Sequence, residues 1–430
     1  MDEQAVIKKK VRINRTTVVV TAQKIMLLYL VVWSISPPLS IDMIFRIAAL
    51  ICAVGWFFLD LSTGLRLDKM QKLALIYMVF VALVALIEYK GDLSMLIKPI
   101  AIYMLVFAYI INYSYTKRVN ELWFLIPVFI ALLIVFNLIT IKALLVDSSL
   151  ARRLVRADET IYPYLRQGIG GYAMVYSEVL LSPLIFAWTF NARKNNILCF
   201  ILGVAWALTY LFLLLKSGYS IAIASTFISV LILIFYKKRS IIPAVVIAFG
   251  IIVIFVLMIG YIDGFRNALL DAFEGTTVAK KINDIYYSLQ GVETADSITA
   301  RIIRYSASIN TIFSYPIIGG LWWDGGGGHS ALLDAFAKYG LWGGLMFVNM
   351  FYCVPSKIKE KSDNNKDIRI SNALLVSLII ITLLDTVPYQ MVFPVLVVAP
   401  IFFNDIQKWR DKNESSVDSK SDTDQLMQET

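Results

Sequence analysis

The chain has 430 residues, 58% hydrophobic and 17% charged, with a formal net charge of +9 and a mean hydropathy of +0.70. Soluble domains run about 45–50% apolar and about 25% charged. A soluble enzyme, a disordered chain and a disulfide scaffold are therefore excluded, and a polytopic membrane protein remains.

Twelve apolar runs follow one another at 18–37, 41–61, 72–89, 94–113, 122–145, 169–190, 196–215, 219–236, 241–262, 335–354, 372–387 and 389–404. A helical span takes about 20 residues. These runs are too long for barrel strands, and backbone groups in lipid must be satisfied within the segment, so each predicts a helix. The expected fold is an all-α polytopic bundle of about 12 transmembrane helices. The last two runs are short and lie near Pro388 and Pro394, which predicts a broken pair or a re-entrant segment. Residues 1–17 carry Lys8, Lys9, Lys10, Arg12 and Arg15 with no small-residue cleavage pattern, and they read as a cytoplasmic N-terminus ahead of a retained signal anchor. Cys52, Cys199 and Cys353 fall in or at the end of apolar runs and read as small buried hydrophobes. With one histidine and scattered cysteines, no metal-ligand cluster and no cofactor is expected.

Orientation follows from the loops. With the N-terminus inside, the short inner loops Arg66–Lys72, Lys117–Arg118, Tyr236–Ser240 and Pro355–Arg369 are all basic, and inner segments hold 24 of the 40 Lys and Arg against 11 outside. Both termini are thus expected in the cytoplasm. The positive charge is read as topology and lipid contact, not as affinity for nucleic acid. The organisation expected is nine helices over 18–262 with an outer loop at 146–168, a large extracytoplasmic segment at 263–334, three helices over 335–404, and a tail at 405–430. Within the large segment, Ile282, Ile285, Tyr286 and Leu289, then Ile298, Ile302, Tyr305 and Ile309 recur at helical spacing. They predict amphipathic helices that lie on the membrane surface or cap a cavity. From Asp411 onward the tail is rich in Ser, Asp, Glu and Gln and reads as disordered. No repeat of 20–50 residues and no inverted repeat is visible, which weighs against a secondary transporter.

Arginine and lysine divide unequally between the two sides. Inside there are 8 Arg to 16 Lys, and outside 7 Arg to 4 Lys. Lysine satisfies a charge rule, whereas the planar fork of arginine suits phosphate and carboxylate. Arg152, Arg153 and Arg156 are spaced to share a helical face, with Arg166 ten residues on, and Arg301 and Arg304 sit one turn apart. The functional reading is an outer-face anion site; the bland one is a basic surface against lipid headgroups. His329, the single histidine, follows Gly325–Gly328 just before a span. It is either a base or donor in a site or a structural residue. Asp334 and Lys338, at i and i+4, can pair and orient their helix. Glu178 lies mid-run near Tyr172, Tyr176 and Ser177. An intramembrane acid is a functional candidate, with Arg46, Lys98 or Lys142 as partners. Gly168, Gly170 and Gly171 follow no strand and read as helix-packing glycines.

The stretch Thr299–Gly344 resembles the signature region of the bacterial O-antigen polymerase and ligase superfamily. That pattern runs from an Arg-containing helix (Arg301, Arg304) through a Pro-x-x-Gly turn (Pro316–Gly319) and a glycine stretch (Gly325–Gly328). It continues into His329–Ser330, Leu333 and a Gly-Leu-x-Gly (Gly340–Gly343). The segment Leu213–Ala224 is similar to the family's Ser-Arg-Gly stretch, except that Lys216 precedes Ser217 and Gly218 and the usual arginine is absent. The resemblance implies a GT-C-like membrane glycosyltransferase acting on undecaprenyl-diphosphate-linked glycans at the outer face of the bacterial plasma membrane. Its implied partners are the lipid-linked oligosaccharide, membrane lipid, a flippase and a chain-length regulator. It implies a catalytic group of His329, Arg301 and Arg304, with Arg152, Arg153, Arg156, Arg166, Tyr305 and Glu178 toward the diphosphate. Asp334, Lys338 and Gly328 would support them. Arginines can stand in for a metal there. A repeat-unit polymerase is the leading expectation, an O-antigen ligase its neighbour, and a lipid-linked oligosaccharide flippase the alternative of another class.

Overall fold

A computed structural model describes residues 3–412 apart from 65, 93–95, 97–98, 116–118, 156–158, 237, 275–276, 291–297, 322–325, 363 and 388; the side chains of 3–16, 113–115, 152, 155, 159, 277, 298–300, 361 and 389–392 are likewise outside the description. The described residues are mostly helical, with no strand among them. The first half comprises α1 (Glu3–Ile35), α2 (Pro37–Ile41), α3 (Met43–Ser62), α4 (Lys69–Glu88), α5 (Ile100–Tyr115), α6 (Leu125–Val146), α7 (Leu150–Val155), α8 (Tyr162–Arg166) and α9 (Tyr172–Asn195). The second half comprises α10 (Ile197–Ser217), α11 (Ser220–Phe235), α12 (Ile242–Tyr261), α13 (Asp263–Ala272), α14 (Thr277–Leu289), α15 (Ile298–Ser314), α16 (Ala331–Lys361), α17 (Asn365–Leu384) and α18 (Tyr389–Val397). A further helix, α19, covers 399–412. Among the described residues, eight helices are long and apolar enough to cross a membrane: the Thr17–Ile35 part of α1, then α3, α4, α6, α9, α10, α12 and α17. The chain is therefore a polytopic helical membrane protein, as its composition required.

Helix ends follow local chemistry. Asp68 and Gln71 form a reciprocal capping box at the start of α4. Asn196 caps α10, which stops at Gly218 in the left-handed region, φ 64°. Such caps satisfy end groups that have no partner within the helix.

Two helices are central. In α9, 83% of the span is buried inside the protein, and in α17 72%, against 17% in α12. α9 packs against α10, α11, α17 and α18. This position explains why it carries Ser177, Glu178 and Ser182, all fully buried: a helix buried on every side can hold polar groups that lipid would reject. At the opposite end, α17 is joined to α19 by a buried ion pair. Arg410 donates from Nη1 to Asp367 Oδ1 at 2.5 Å and from Nη2 to Oδ2 at 3.0 Å.

α13, α14 and α15 supply the helices expected in the large outer segment. α13 and α14 stack on each other through Arg266, whose guanidinium lies 3.9 Å from the Tyr286 ring centre and 2.8 Å from Asp263. α16 is broken at Gly340, where φ is 64° and ψ −163°. The Pro316–Gly319 turn fills that break. Leu341 N donates to Pro316 O at 2.9 Å, Gly320 N to Ala337 O at 2.8 Å and Leu321 N to Lys338 O at 2.9 Å. A side chain on Gly319 would fall on the Gly340 nitrogen and the Lys338 carbonyl, so both glycines are required for the contact. The Pro-x-x-Gly and Gly-Leu-x-Gly elements, read separately in the sequence, are two halves of one joint.

Candidate active site

The joint brings the C-terminal half of α15 beside the start of α16. α15 turns Ser308 and Thr311 inward. Ser308 Oγ donates to Asp334 Oδ1 at 2.6 Å and accepts from Gly327 N at 2.9 Å. Asp334 also accepts from Gly328 N at 3.2 Å and from Ser330 N at 3.1 Å. Its carboxylate therefore gathers the glycine loop around the N-terminus of α16, where negative charge is favoured. Ser330 caps that helix by accepting from Leu333 N at 3.2 Å. Gly327 lies against the backbone of α15, and a Cβ there would fall on the Arg304 carbonyl.

This packing sets the central contact. Arg304 Nη1 lies 2.6 Å from His329 Nε2. A guanidinium only donates, so Nε2 accepts and the ring proton resides on Nδ1. Partial burial holds the imidazole below its ordinary pKa of 6.5, and Arg304 and Arg301 push the same way against Asp385 and Asp334. Arg301 donates from Nη1 to Leu384 O at 3.4 Å, and Tyr305 donates to the same carbonyl at 2.8 Å. Burial raises the Tyr305 phenol, which stays a neutral donor. α15 is thereby tied to the end of α17.

Asp385 closes the site, and sequence reasoning missed it. Its carbonyl accepts from Ala331 N at 3.0 Å, and its Oδ2 accepts from Tyr176 Oη at 3.2 Å. The available signal was a carboxylate near the end of the 372–387 apolar run, just before Pro388. The Tyr176 ring centre lies 4.2 Å from that of Tyr172, the rings tilted by 36°, and 6.0 Å from that of Tyr219. Tyr219 donates to Ala151 O in α7 at 3.1 Å. Through these tyrosines the α6–α9 connection is fastened to the same end of the bundle as α15 and α16.

The remaining expected residues divide. Arg153 pairs with Asp147 and reaches Tyr164 Oη at 3.3 Å. Asp147 is held below the usual carboxylate range, first by the Ser149 hydroxyl and further by Arg153. Arg166 pairs with Asp42 at 3.0 Å. Both arginines thus fasten the α6–α9 connection to its surroundings, and neither pairs with the groups that hold Arg301 and Arg304. Arg152 lies in α7, but its side chain, like all of Arg156, is outside the described residues. Glu178 is also apart from the arginines. It is buried between α6 and α10, accepting from Asn137 Nδ2 at 2.9 Å and Trp206 Nε1 at 2.7 Å. Of its expected cationic partners, Arg46 donates from Nε to Ser40 O at 2.7 Å, and Lys98 is outside the described residues. The expected Asp334–Lys338 pair does not form. Asp334 is taken by Ser308 and the two backbone amides, and the Lys338 ammonium lies 5.6 Å from the Tyr339 ring centre. Lys216 is exposed and lies 5.6 Å from the Phe212 ring centre.

In comparisons with known proteins, no family model matches the chain and no curated protein matches it.

Proposed function

We propose that the chain is a glycosyltransferase of the outer membrane face, a repeat-unit polymerase that moves a growing glycan from undecaprenyl diphosphate onto the non-reducing end of the next lipid-linked repeat unit. The observation that carries this reading is the Arg304–His329 contact, 2.6 Å long, at the mouth of α16. It combines a fork for phosphate with a neutral imidazole. In this reading α5, α11, kinked α16 and the α18–α19 pair complete twelve spans of a GT-C-like bundle in the bacterial plasma membrane, with both termini cytoplasmic.

The chemistry assigns a task to each group. The acceptor hydroxyl oxygen attacks the anomeric carbon of the donor and forms the new glycosidic bond. The bond from that carbon to the diphosphate oxygen breaks, and its electron pair leaves with the lipid diphosphate. Arg301 and Arg304 offset the charge that develops there, a role in which pre-placed donors contribute most. The hydroxyl proton passes to His329, whose depressed pKa keeps it unprotonated near neutral pH. In the free protein Nε2 is engaged by Arg304. A diphosphate is the stronger acceptor for a guanidinium, so substrate draws Arg304 away and releases the base. Asp385, beside them, orients the loop through Ala331 N.

The reading is tested by incubating purified, liposome-reconstituted protein with lipid-diphosphate repeat units alone, and in parallel with a lipid A core acceptor. Longer glycans from repeat units alone are expected. Transfer only to the core acceptor makes the protein a ligase, and transfer to neither removes the enzyme reading.

A further inference from the structure

α15 has an unusual distribution of polarity. The side chains it buries include Ser308 and Thr311, each 1% exposed. One uncovered stripe is apolar and consists of Ile302, Ile309 and Phe313, at i, i+7 and i+11, with Phe313 80% exposed. That stripe runs on into the Pro316–Gly319 turn, where Ile317 and Ile318 are 77% and 60% exposed. A second uncovered stripe holds Ser306, Asn310 and Ser314 at i, i+4 and i+8 and is polar except at its first turn, where Ile303 is 64% exposed. In water the first stripe would be an uncovered hydrophobic patch, which proteins rarely leave without a partner.

The position of the turn says what covers it. Leu341 N is bonded to Pro316 O, so the turn abuts the first residues of α16 beyond its break. There Leu341 and Leu345 are also exposed, at the head of an apolar helix that continues to Lys361. The uncovered apolar surface of the turn is thus continuous with the outward face of α16. A helix with one packed, one apolar and one polar face suits the plane of a membrane interface.

We propose that α15 and the Pro316–Gly319 turn are seated in the outer leaflet of the bilayer. Ile302, Ile309, Phe313, Ile317 and Ile318 lie among acyl chains, and Ser306, Asn310 and Ser314 face headgroups and water. The covering partner is membrane lipid. One consequence is that Arg301 and Arg304, on the same helix, sit at the depth of lipid phosphates. A lipid-borne anion then reaches them by lateral diffusion. This proposal rests on the membrane character of the chain and does not depend on glycosyl transfer.

The test places single spin labels on the full chain reconstituted in lipid nanodiscs, with Cys52, Cys199 and Cys353 replaced by Ala. Labels go on Phe313→Cys, Ile317→Cys, Asn310→Cys and Ser314→Cys, with Val253→Cys in α12 as the lipid-facing reference. Collision rates with oxygen and with a water-soluble nickel chelate are compared. The Phe313 and Ile317 labels are expected to favour oxygen as the Val253 label does, while the Asn310 and Ser314 labels favour nickel. Nickel access at Phe313 and Ile317 equal to that at Asn310 would overturn the proposal. So would shielding from both reagents, which would mean a protein partner or a second copy covers the stripe. A membrane-impermeant maleimide applied to the same unlabelled variants in intact cells gives an independent reading. It should modify Asn310→Cys and spare Phe313→Cys, and equal modification of both would count against lipid burial.

Discussion

Arg304 and His329 share one hydrogen bond, 2.6 Å from Nη1 to Nε2, and its direction can run only one way. Arginine keeps its protons at any accessible pH, so the imidazole must be the acceptor and must be neutral. A protonated ring would break the bond and set two cations side by side. Local packing enforces the contact, because Gly327 lets the loop lie on the Arg304 backbone and Asp334 holds the loop there.

The first expected outcome concerns protonation. His329 is the only histidine in the chain, so isotope-labelled histidine gives a single NMR titration. Its pKa should lie below 6.5. Arg304→Gln removes a neighbouring cation that penalises the imidazolium, and the value should rise. The sign carries over to stability. Between the folded pKa and 6.5 the unfolded chain binds more protons, so stability falls as pH drops through that window. An unchanged pKa in Arg304→Gln would mean that the two side chains do not meet.

Gly327→Ala should act on the same contact from the backbone side. Its methyl meets the Arg304 carbonyl, and overpacking of this kind costs about 1–3 kcal/mol. Thermal unfolding in detergent should register the loss, and the histidine titration should move toward that of Arg304→Gln. Gly328→Ala differs, since a Cβ there meets nothing within 4 Å and only its φ of 70° is unfavourable.

His329→Ala should reduce chain extension by about 10²–10⁴-fold, the usual contribution of a general base, with protein level and topology kept. Arg304→Lys should also be impaired. A charge-assisted bond of about 1.5–3 kcal/mol corresponds to roughly 10–100-fold, at 1.4 kcal/mol per factor of ten. Normal turnover in Arg304→Lys would reduce that residue to surface charge.

Glu178 is expected to matter for stability and not for the donor diphosphate. Glu178→Gln keeps an acceptor oxygen for Asn137 and Trp206 and should unfold near the wild-type temperature. Glu178→Leu leaves both donors buried without an acceptor, at a cost of about 1–3 kcal/mol. Unfolding midpoints and activity per folded molecule separate the two roles. A raised KM for the lipid-linked donor in a stable Glu178→Gln would return Glu178 to the substrate site.

What was legible in the sequence was what depends on order and period. Apolar runs marked the long spans because lipid demands length and hydrophobicity. The elements of Thr299–Gly344 appeared in the order in which the Gly340 joint assembles them. What was not legible depends on partners far along the chain. Asp334 was expected to pair with Lys338 four residues on, and it instead holds Ser308, 26 residues earlier. Asp385 reaches Tyr176 across 209 residues, and no local spacing announces that meeting. Arg153 and Arg166 looked like free phosphate ligands, but Asp147 and Asp42 engage them.

The most direct measurement is a structure of the reconstituted protein with a lipid diphosphate bound. The diphosphate oxygens should lie within hydrogen-bonding distance of Arg301 and Arg304, with Arg304 drawn off His329 Nε2. A diphosphate held by Arg153 or Arg166 instead, with the Arg304–His329 contact intact, would contradict the assignment of the site.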